Sequence, residues 1–224
     1  MIAATDNRQA PSAGRAPYDG GMTSDTPAEI GRSHRKGAAR RTEILSKAIG
    51  LFASHGVEAS LRAIGDAIGV SHAALRYYFA SRDELLVEVY RTHEGAVHDE
   101  PIRNAASAVQ LMELSAERNA TIPGLIELYA TLTTDALQAQ RHPLTREFIQ
   151  ARFRRVRADL VERIRAGQAD GVIDQDIDPD DAAALVAAAS DGLQLQWLLH
   201  PDEVDIRRSL AILERVLPAK PKVT

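Results

Sequence analysis

A chain of 224 residues with 45% apolar but only 4% aromatic side chains can bury a substantial core, and its preference for Ala and Leu over Val and Ile favours helix over strand. The lack of cysteine excludes disulfides, thiolate metal sites and a cysteine nucleophile. A net charge of −4 speaks against nucleic acid until its distribution is read: Arg32 to Arg82 holds nine basic and three acidic residues, +6, leaving −10 for the remainder. That is a basic module beside an acidic body.

Residues 1–37 are rich in Gly, Pro, Ser, Asp and Thr without periodicity, the composition of a disordered tail. Its basic end, Arg32 to Arg41, can serve as an arm on DNA phosphates or as a solvated linker. From Arg40, Leu45, Ala48, Ile49 and Phe52 recur at helical spacing, and Gly56 supplies a stop. Ser60 then offers an N-cap to a short helix over Leu61–Ile68, which Gly69 ends. Ser71 caps a third helix through Phe79, and Ser81 a fourth with Leu85, Leu86, Val89 and Tyr90 on its buried side. Beyond a break at Asp99–Pro101, periodicity predicts longer helices over Ala105–Asn119, Pro123–Ala139, Pro143–Ala169, Asp180–Leu199 and Val204–Leu217, with 219–224 as a tail. No apolar run approaches the ~18 residues of a membrane span, and Met1 to Asp19 lacks a signal peptide's apolar stretch; a cytoplasmic protein without a membrane partner is expected.

Leu61 to Ala80 has the residue order that a helix-turn-helix requires. Ile64 and Ile68 face inward, Gly65 is small where the second helix passes close, Gly69 permits the turn, Val70 plugs it, and Leu75 and Tyr78 pack the second helix back. Ser71, His72, Ala73, Arg76 and Tyr77 are left outside as base-reading candidates for a major groove. Ser60, Arg62, Tyr78 and Arg82 lie at edges or helix starts, where they can hold phosphates.

The run ILSKAIGLFASHGVEASLRAIGDAIGVSHAALRYYFASRDELL, Ile44 to Leu86, resembles the N-terminal domain of the TetR family of transcriptional regulators in order and spacing. AALVAAASDGLQLQWLLHPDEVDIRRSLAILERVL, Ala183 to Leu217, is similar to the C-terminal domain of one TetR subgroup. The resemblance implies an all-α homodimer: a three-helix helix-turn-helix domain over 38–84, and a helical domain over 85–218 that dimerises and encloses an effector pocket. It further implies a transcriptional repressor that binds a double-stranded, pseudo-palindromic DNA operator and is released by a small-molecule effector. Arg76 stands where the family has a phosphate-contacting tyrosine, leaving a base or a phosphate as its target, and Arg82 replaces the usual lysine.

In the larger domain, Leu111, Leu114, Leu125, Leu128, Tyr129, Leu132, Phe148, Gln194 and Trp197 are candidates for lining the effector pocket, although each also suits plain core. With no obvious buried charge cluster, an apolar or neutral ligand is expected. The helix from Asp180 is apolar around its circumference and must be covered on more than one side. Ala184, Ala188 and Gly192 allow a second copy to approach, and Leu210, Leu213 and Leu217 extend that dimer interface. The arginines between Arg146 and Arg165 read as the solvated face of a helix whose apolar stripe is Ile149, Phe153, Val156, Leu160 and Ile164. His93 and His98 do not share a helical face, so no metal site is expected. No nucleophile elbow, phosphate loop or dinucleotide fingerprint is present, which argues against an enzyme and calls for no cofactor. A helical scaffold whose helix-turn-helix only packs is the rival; the motif's basic charge and polar outer face oppose it.

Overall fold

The computed structural model describes residues 27–55, 60–94 and 100–217, and the regular elements among them are helices. They are α1 (Pro27–His55), α2 (Leu61–Ile68), α3 (His72–Tyr78), α4 (Arg82–Glu94), α5 (Glu100–Arg103), α6 (Ala108–Ala120), α7 (Leu125–Leu137), α8 (Pro143–Ala169), α9 (Pro179–Leu199), α10 (Ile206–Leu210) and α11 (Leu213–Val216). The chain divides into two units, 1–38 and 39–224; the described part of the first is the opening stretch of α1. Residues 27–37, expected as tail, are therefore helical. Proline in the first helical turn gives up an N–H that has no partner there anyway, so Pro27 is a good start that bulk composition hid. Residues 1–26, Gly56, His98 and 219–224 lie outside the described residues. No helix among the described residues is long and apolar enough to cross a membrane.

The helix-turn-helix segment does not have a core of its own. Ile44, Ala48 and Phe52 of α1, Ile64 of α2 and Leu75 of α3 meet Leu85, Leu86, Val89 and Tyr90 of α4. The same cluster runs on through Leu125, Leu128 and Leu132 of α7 to Phe148 and Ile149 of α8. The boundary expected at 84/85 thus falls inside one continuous core, and α4 is buried on several sides because two groups of helices share it. A second core joins Val109, Met112 and Ala116 of α6, Leu160 and Ile164 of α8, Ala183 and Val186 of α9, and Ile206 and Leu210 of α10. With 27 residues, α8 is about 40 Å long at 1.5 Å per residue and serves both cores.

The expected helix Val204–Leu217 is broken into α10 and α11. Its one apolar stripe is taken by the subunit itself: Leu210 and Leu217 are buried and Leu213 packs against the second core. Leu210 and Leu217, expected at a dimer interface, are thus covered within the subunit, while Leu213 is only partly buried. One stripe cannot face inward and outward at once, and the exposed apolar side chains here are Ile212 and Val216. On α9 two faces do exist. Ala183, Val186, Ser190 and Gln194 are buried, while Leu185, Leu195 and Leu199 are exposed, in line with Ala188 and Gly192 at alternating spacings of three and four. Ala184 is exposed at the edge of this line.

Two glycines should respond oppositely to the same substitution. A Cβ on Gly65 would lie 2.5 Å from the Val70 carbonyl oxygen and 3.0 Å from Leu75 Cδ1, whereas one on Gly50, in α1, would meet nothing within 4 Å. Gly65→Ala is expected to destabilise by about 1–3 kcal/mol despite alanine's better helix propensity. Gly50→Ala should stabilise by about 0.5–1 kcal/mol. Urea denaturation of both variants checks the pair.

Candidate functional site

Local backbone chemistry sets the helix-turn-helix. The Oγ atoms of Ser60 and Ser71 accept the N–H groups of Ala63 and Ala74, each at 3.2 Å, and each hydroxyl keeps its own proton to donate outward. At the turn, Val70 N–H donates to Gly65 O at 2.8 Å, and Gly69 adopts φ +71°, a left-handed conformation that glycine takes without steric cost. Leu75 is fully buried and Tyr78 half-buried, which anchors α3 by its inner side. Ser71, His72, Ala73, Arg76 and Tyr77 are all exposed, Tyr77 at 82%. Tyr77 stands edge to face with Tyr78, ring centroids 5.0 Å apart. Ser60 and Arg62 are exposed at the start of α2.

Arg82, expected to meet DNA backbone, also makes ion pairs within the subunit. Its Nη1 lies 3.0 Å from Asp135 Oδ2 of α7 and 3.6 Å from Asp83 Oδ1. Asp83 is also 3.0 Å from His142 Nδ1, and because a carboxylate can only accept, the ring carries a proton on that nitrogen. One ligand atom each from Asp83, Asp135 and His142 lie within 4.8 Å of one another, close enough for a metal triad. The Arg82 guanidinium already stands against both carboxylates, so the cluster is an ion-pair lock joining the start of α4, the end of α7 and the start of α8.

A cavity of about 820 Å³ opens between α4, α5, α6 and α8. Its apolar wall includes Ile102, Leu111, Met112, Phe148 and Val156. Of the residues expected to line a pocket, Leu111 and Phe148 do so. Leu125, Leu128 and Leu132 are instead fully buried in the first core. Trp197 packs against the second core, and Leu114 is half-buried away from the cavity.

Tyr129 and Gln194 belong to polar networks beside it. Arg152 of α8, only 7% exposed, donates to Glu94 at 2.5 Å and to the Tyr129 hydroxyl at 3.0 Å. Its guanidinium lies 4.4 Å from the Tyr129 ring centroid and 5.8 Å from that of Tyr90. Tyr129 in turn donates to Asp191 at 3.0 Å, and Arg155 donates to Glu94 at 3.2 Å. Gln194 accepts from Asn119 and donates to the Ser190 carbonyl, both at 3.2 Å. The expected solvated arginine face is therefore not uniform: Arg152 points inward, while Phe153 of the expected stripe is exposed. A buried charge cluster exists after all, which removes the ground for an apolar or neutral ligand. Burial pushes the Asp191 carboxyl above its usual range, against the pull of Arg152 and the Tyr129 hydrogen bond. Burial also opposes the charge of Arg152, but the two tyrosines, Glu94 and Asp191 outweigh it, and the guanidinium stays charged.

Two family models match the sequence. That of the bacterial regulatory proteins of the tetR family spans residues 44–89 and so covers α2, α3 and most of α4. That of the C-terminal part of BetI-type transcriptional repressors spans residues 127–220. The chain belongs to the TetR family of transcriptional regulators. The HTH-type transcriptional regulator BetI of Rhizobium meliloti is 27% identical over 182 residues, covering 70% of this chain and 83% of its own. TtgR of Pseudomonas putida is 26% identical over 192 residues, covering 79% and 89%. Among solved structures, a transcriptional regulator from Saccharomonospora viridis in complex with choline shares the fold at a TM-score of 0.63 with 24% identity, over 80% of this chain and 95% of that one. A TetR-family regulator from Rhodococcus sp. does so at 0.65 with 20% identity, over 80% and 98%. This TetR-family regulator acts on DNA and is not an enzyme.

The raised Asp191 pKa gives a signed prediction. Its cost to the fold is absent below the ordinary carboxylate pKa and complete above the raised folded value, so it grows as pH rises. Asp191→Asn keeps an acceptor for the Tyr129 hydroxyl and removes the charge. The variant should melt higher than the wild type at neutral pH, with the gain shrinking as pH falls through the carboxylate range. Thermal melts followed by circular dichroism test this; a lower melting temperature at neutral pH would mean that pairing with Arg152 outweighs burial.

Proposed function

We propose that this regulator is a homodimeric repressor that reads a pseudo-palindromic operator with α3 and lets go when a small molecule fills the cavity between α4, α5, α6 and α8. The exposed outer face of α3 carries this reading: Ser71, His72, Ala73, Arg76 and Tyr77 project from a helix anchored by Leu75 and capped by Ser71. Such a helix suits the major groove, and two copies one helical turn apart suit two half-sites. Ser60, Arg62 and Tyr78 flank it as phosphate contacts. Arg82, held by Asp135, sets the angle at which α4 carries the motif.

The second copy covers the line Leu185, Ala188, Gly192, Leu195 and Leu199. Its alternating spacing suits knobs-into-holes packing against a two-fold mate. The link from effector to DNA is α4, which starts next to the reading helix and ends at Glu94 in the cavity wall. A quaternary ammonium such as the choline in the Saccharomonospora viridis structure is not favoured: Phe148, the aromatic residue lining the cavity, already faces Arg91, and Tyr90 and Tyr129 beside it face Arg152.

Gel shifts with DNA flanking the encoding gene test the regulator, which should bind selectively and with steep salt dependence. In binding-site selection, Arg76→Ala should cost roughly 1–3 kcal/mol at one base pair per half-site and relax preference there. An unchanged preference with uniformly weaker binding would assign Arg76 to phosphate instead.

Leu195→Asp charges the exposed α9 line without touching the subunit core. Sedimentation should show monomers with an unchanged helical spectrum, and operator affinity should collapse. A dimer that survives would put the interface elsewhere.

A further inference from the structure

We infer that the lock formed by Asp83, Asp135 and His142 is also a binding site for a divalent transition metal of the zinc class. One ligand atom from each of the three lies within 4.8 Å of the others. A tetrahedral ion about 2.0–2.2 Å from each ligand needs them roughly 3.5 Å apart, a small side-chain adjustment away. None of the three lines the cavity, so the site is independent of the effector reading.

The two carboxylates divide their oxygens. Arg82 Nη1 takes Asp135 Oδ2 at 3.0 Å and lies 3.6 Å from Asp83 Oδ1. The other oxygen of each stands by the imidazole: Asp83 Oδ2 is 3.0 Å from His142 Nδ1, and Asp135 Oδ1 is 3.9 Å from Nε2. An ion on that side leaves the guanidinium in place as the outer partner that orients both carboxylates. The backbone also fixes the ligands beforehand. Between Asp135 and His142, Gln138 N–H donates to the Asp135 carbonyl at 2.9 Å and His142 N–H to the Gln138 carbonyl at 3.1 Å. Three residues after His142, on the same side of α8, Thr145 is fully buried and its hydroxyl has no hydrogen-bond partner. A water in the ion's fourth position is a partner of the kind that this hydroxyl lacks. One imidazole nitrogen and two carboxylate oxygens suit zinc, cobalt or nickel better than magnesium, which favours an octahedron of oxygens. The chain has no cysteine, so no thiolate competes for such an ion.

Titration calorimetry and thermal melts of the untagged full chain, stripped with a chelator and then given Zn²⁺, Co²⁺ or Mg²⁺ alone, test the inference. Zn²⁺ should bind at one per subunit, and at a hundredfold its Kd should raise the melting temperature by about 5–10 °C. Co²⁺ should bind in its place and develop visible absorption bands, whereas Mg²⁺ should bind at least tenfold more weakly. Asparagine is a preferred N-cap residue, so His142→Asn at the N-cap of α8 should fold normally while losing the Zn²⁺ heat and the Co²⁺ bands. Asp135→Asn should weaken Zn²⁺ at least tenfold. His200→Asn, at the C-terminal end of α9, should leave Zn²⁺ binding as it is. Zn²⁺ affinity indifferent to both ligand variants would mean an adventitious ion only. That result, no saturable Zn²⁺ binding, or Mg²⁺ bound as tightly as Zn²⁺ would each overturn the inference.

Discussion

Taking a guanidinium out of water costs several kcal/mol unless a counter-charge and hydrogen bonds go with it. Arg152 lies where the first apolar core gives way to the second, and it meets that cost with Glu94 from α4 and Tyr129 from α7, the latter backed by Asp191 from α9. Four helices are thereby registered on one charge. None can slide far without leaving a buried ion unpaired, which is far more costly than losing a few apolar contacts. Two apolar residues of equal volume would hold the helices as firmly. What the ion pair adds is direction and register, because a guanidinium and a carboxylate meet at fixed angles.

The same logic holds at the other end of α4. Arg82 and Asp83 fasten its first turn to Asp135 and His142, and Glu94 fastens its last to Arg152. Between them, Leu85, Leu86, Val89 and Tyr90 are buried in the shared core. Apolar contacts have little directional preference, whereas ion pairs fix angle and register. The helix is thus a bar with directional fastenings at both ends, about 18 Å apart, and an adaptable middle.

What was legible in the sequence was local. Ser60, Ser71 and Gly69 announce their helix ends through bonds spanning three to five residues, and Pro143 fixed the start of α8 for the same reason. What stayed hidden depends on partners distant in the chain. Arg82 and Asp135 are 53 residues apart, and Arg152 and Glu94 are 58. Periodicity identifies a stripe on α10 and α11 but cannot say whether the subunit or its twin covers it; Leu210 and Leu217 are buried by the subunit itself and Leu213 only in part. Likewise Leu125, Leu128 and Leu132 look alike as core and as pocket wall, since both need only a large apolar side chain. Arg152 was lost among its exposed neighbours because a buried arginine becomes visible only once Glu94 and Tyr129 are placed around it.

The shared core also explains why the reading helix can be controlled at all. With seven residues, α3 is about 10 Å long and far too short to be helical in isolation. Its shape depends on Leu75 and Tyr78 packing inward, and that core includes side chains from α4, α7 and α8. A fragment holding only the helix-turn-helix would be near the size at which a single apolar core stops being sufficient. Drawing on α4 and α7 supplies the missing burial, and it makes the orientation of α3 a property of the whole body. An independently stable reading domain on a flexible linker would bind DNA whatever the cavity held. A domain that borrows its core is tied instead to the body that supplies it, here through α4 and the ion pairs at its two ends.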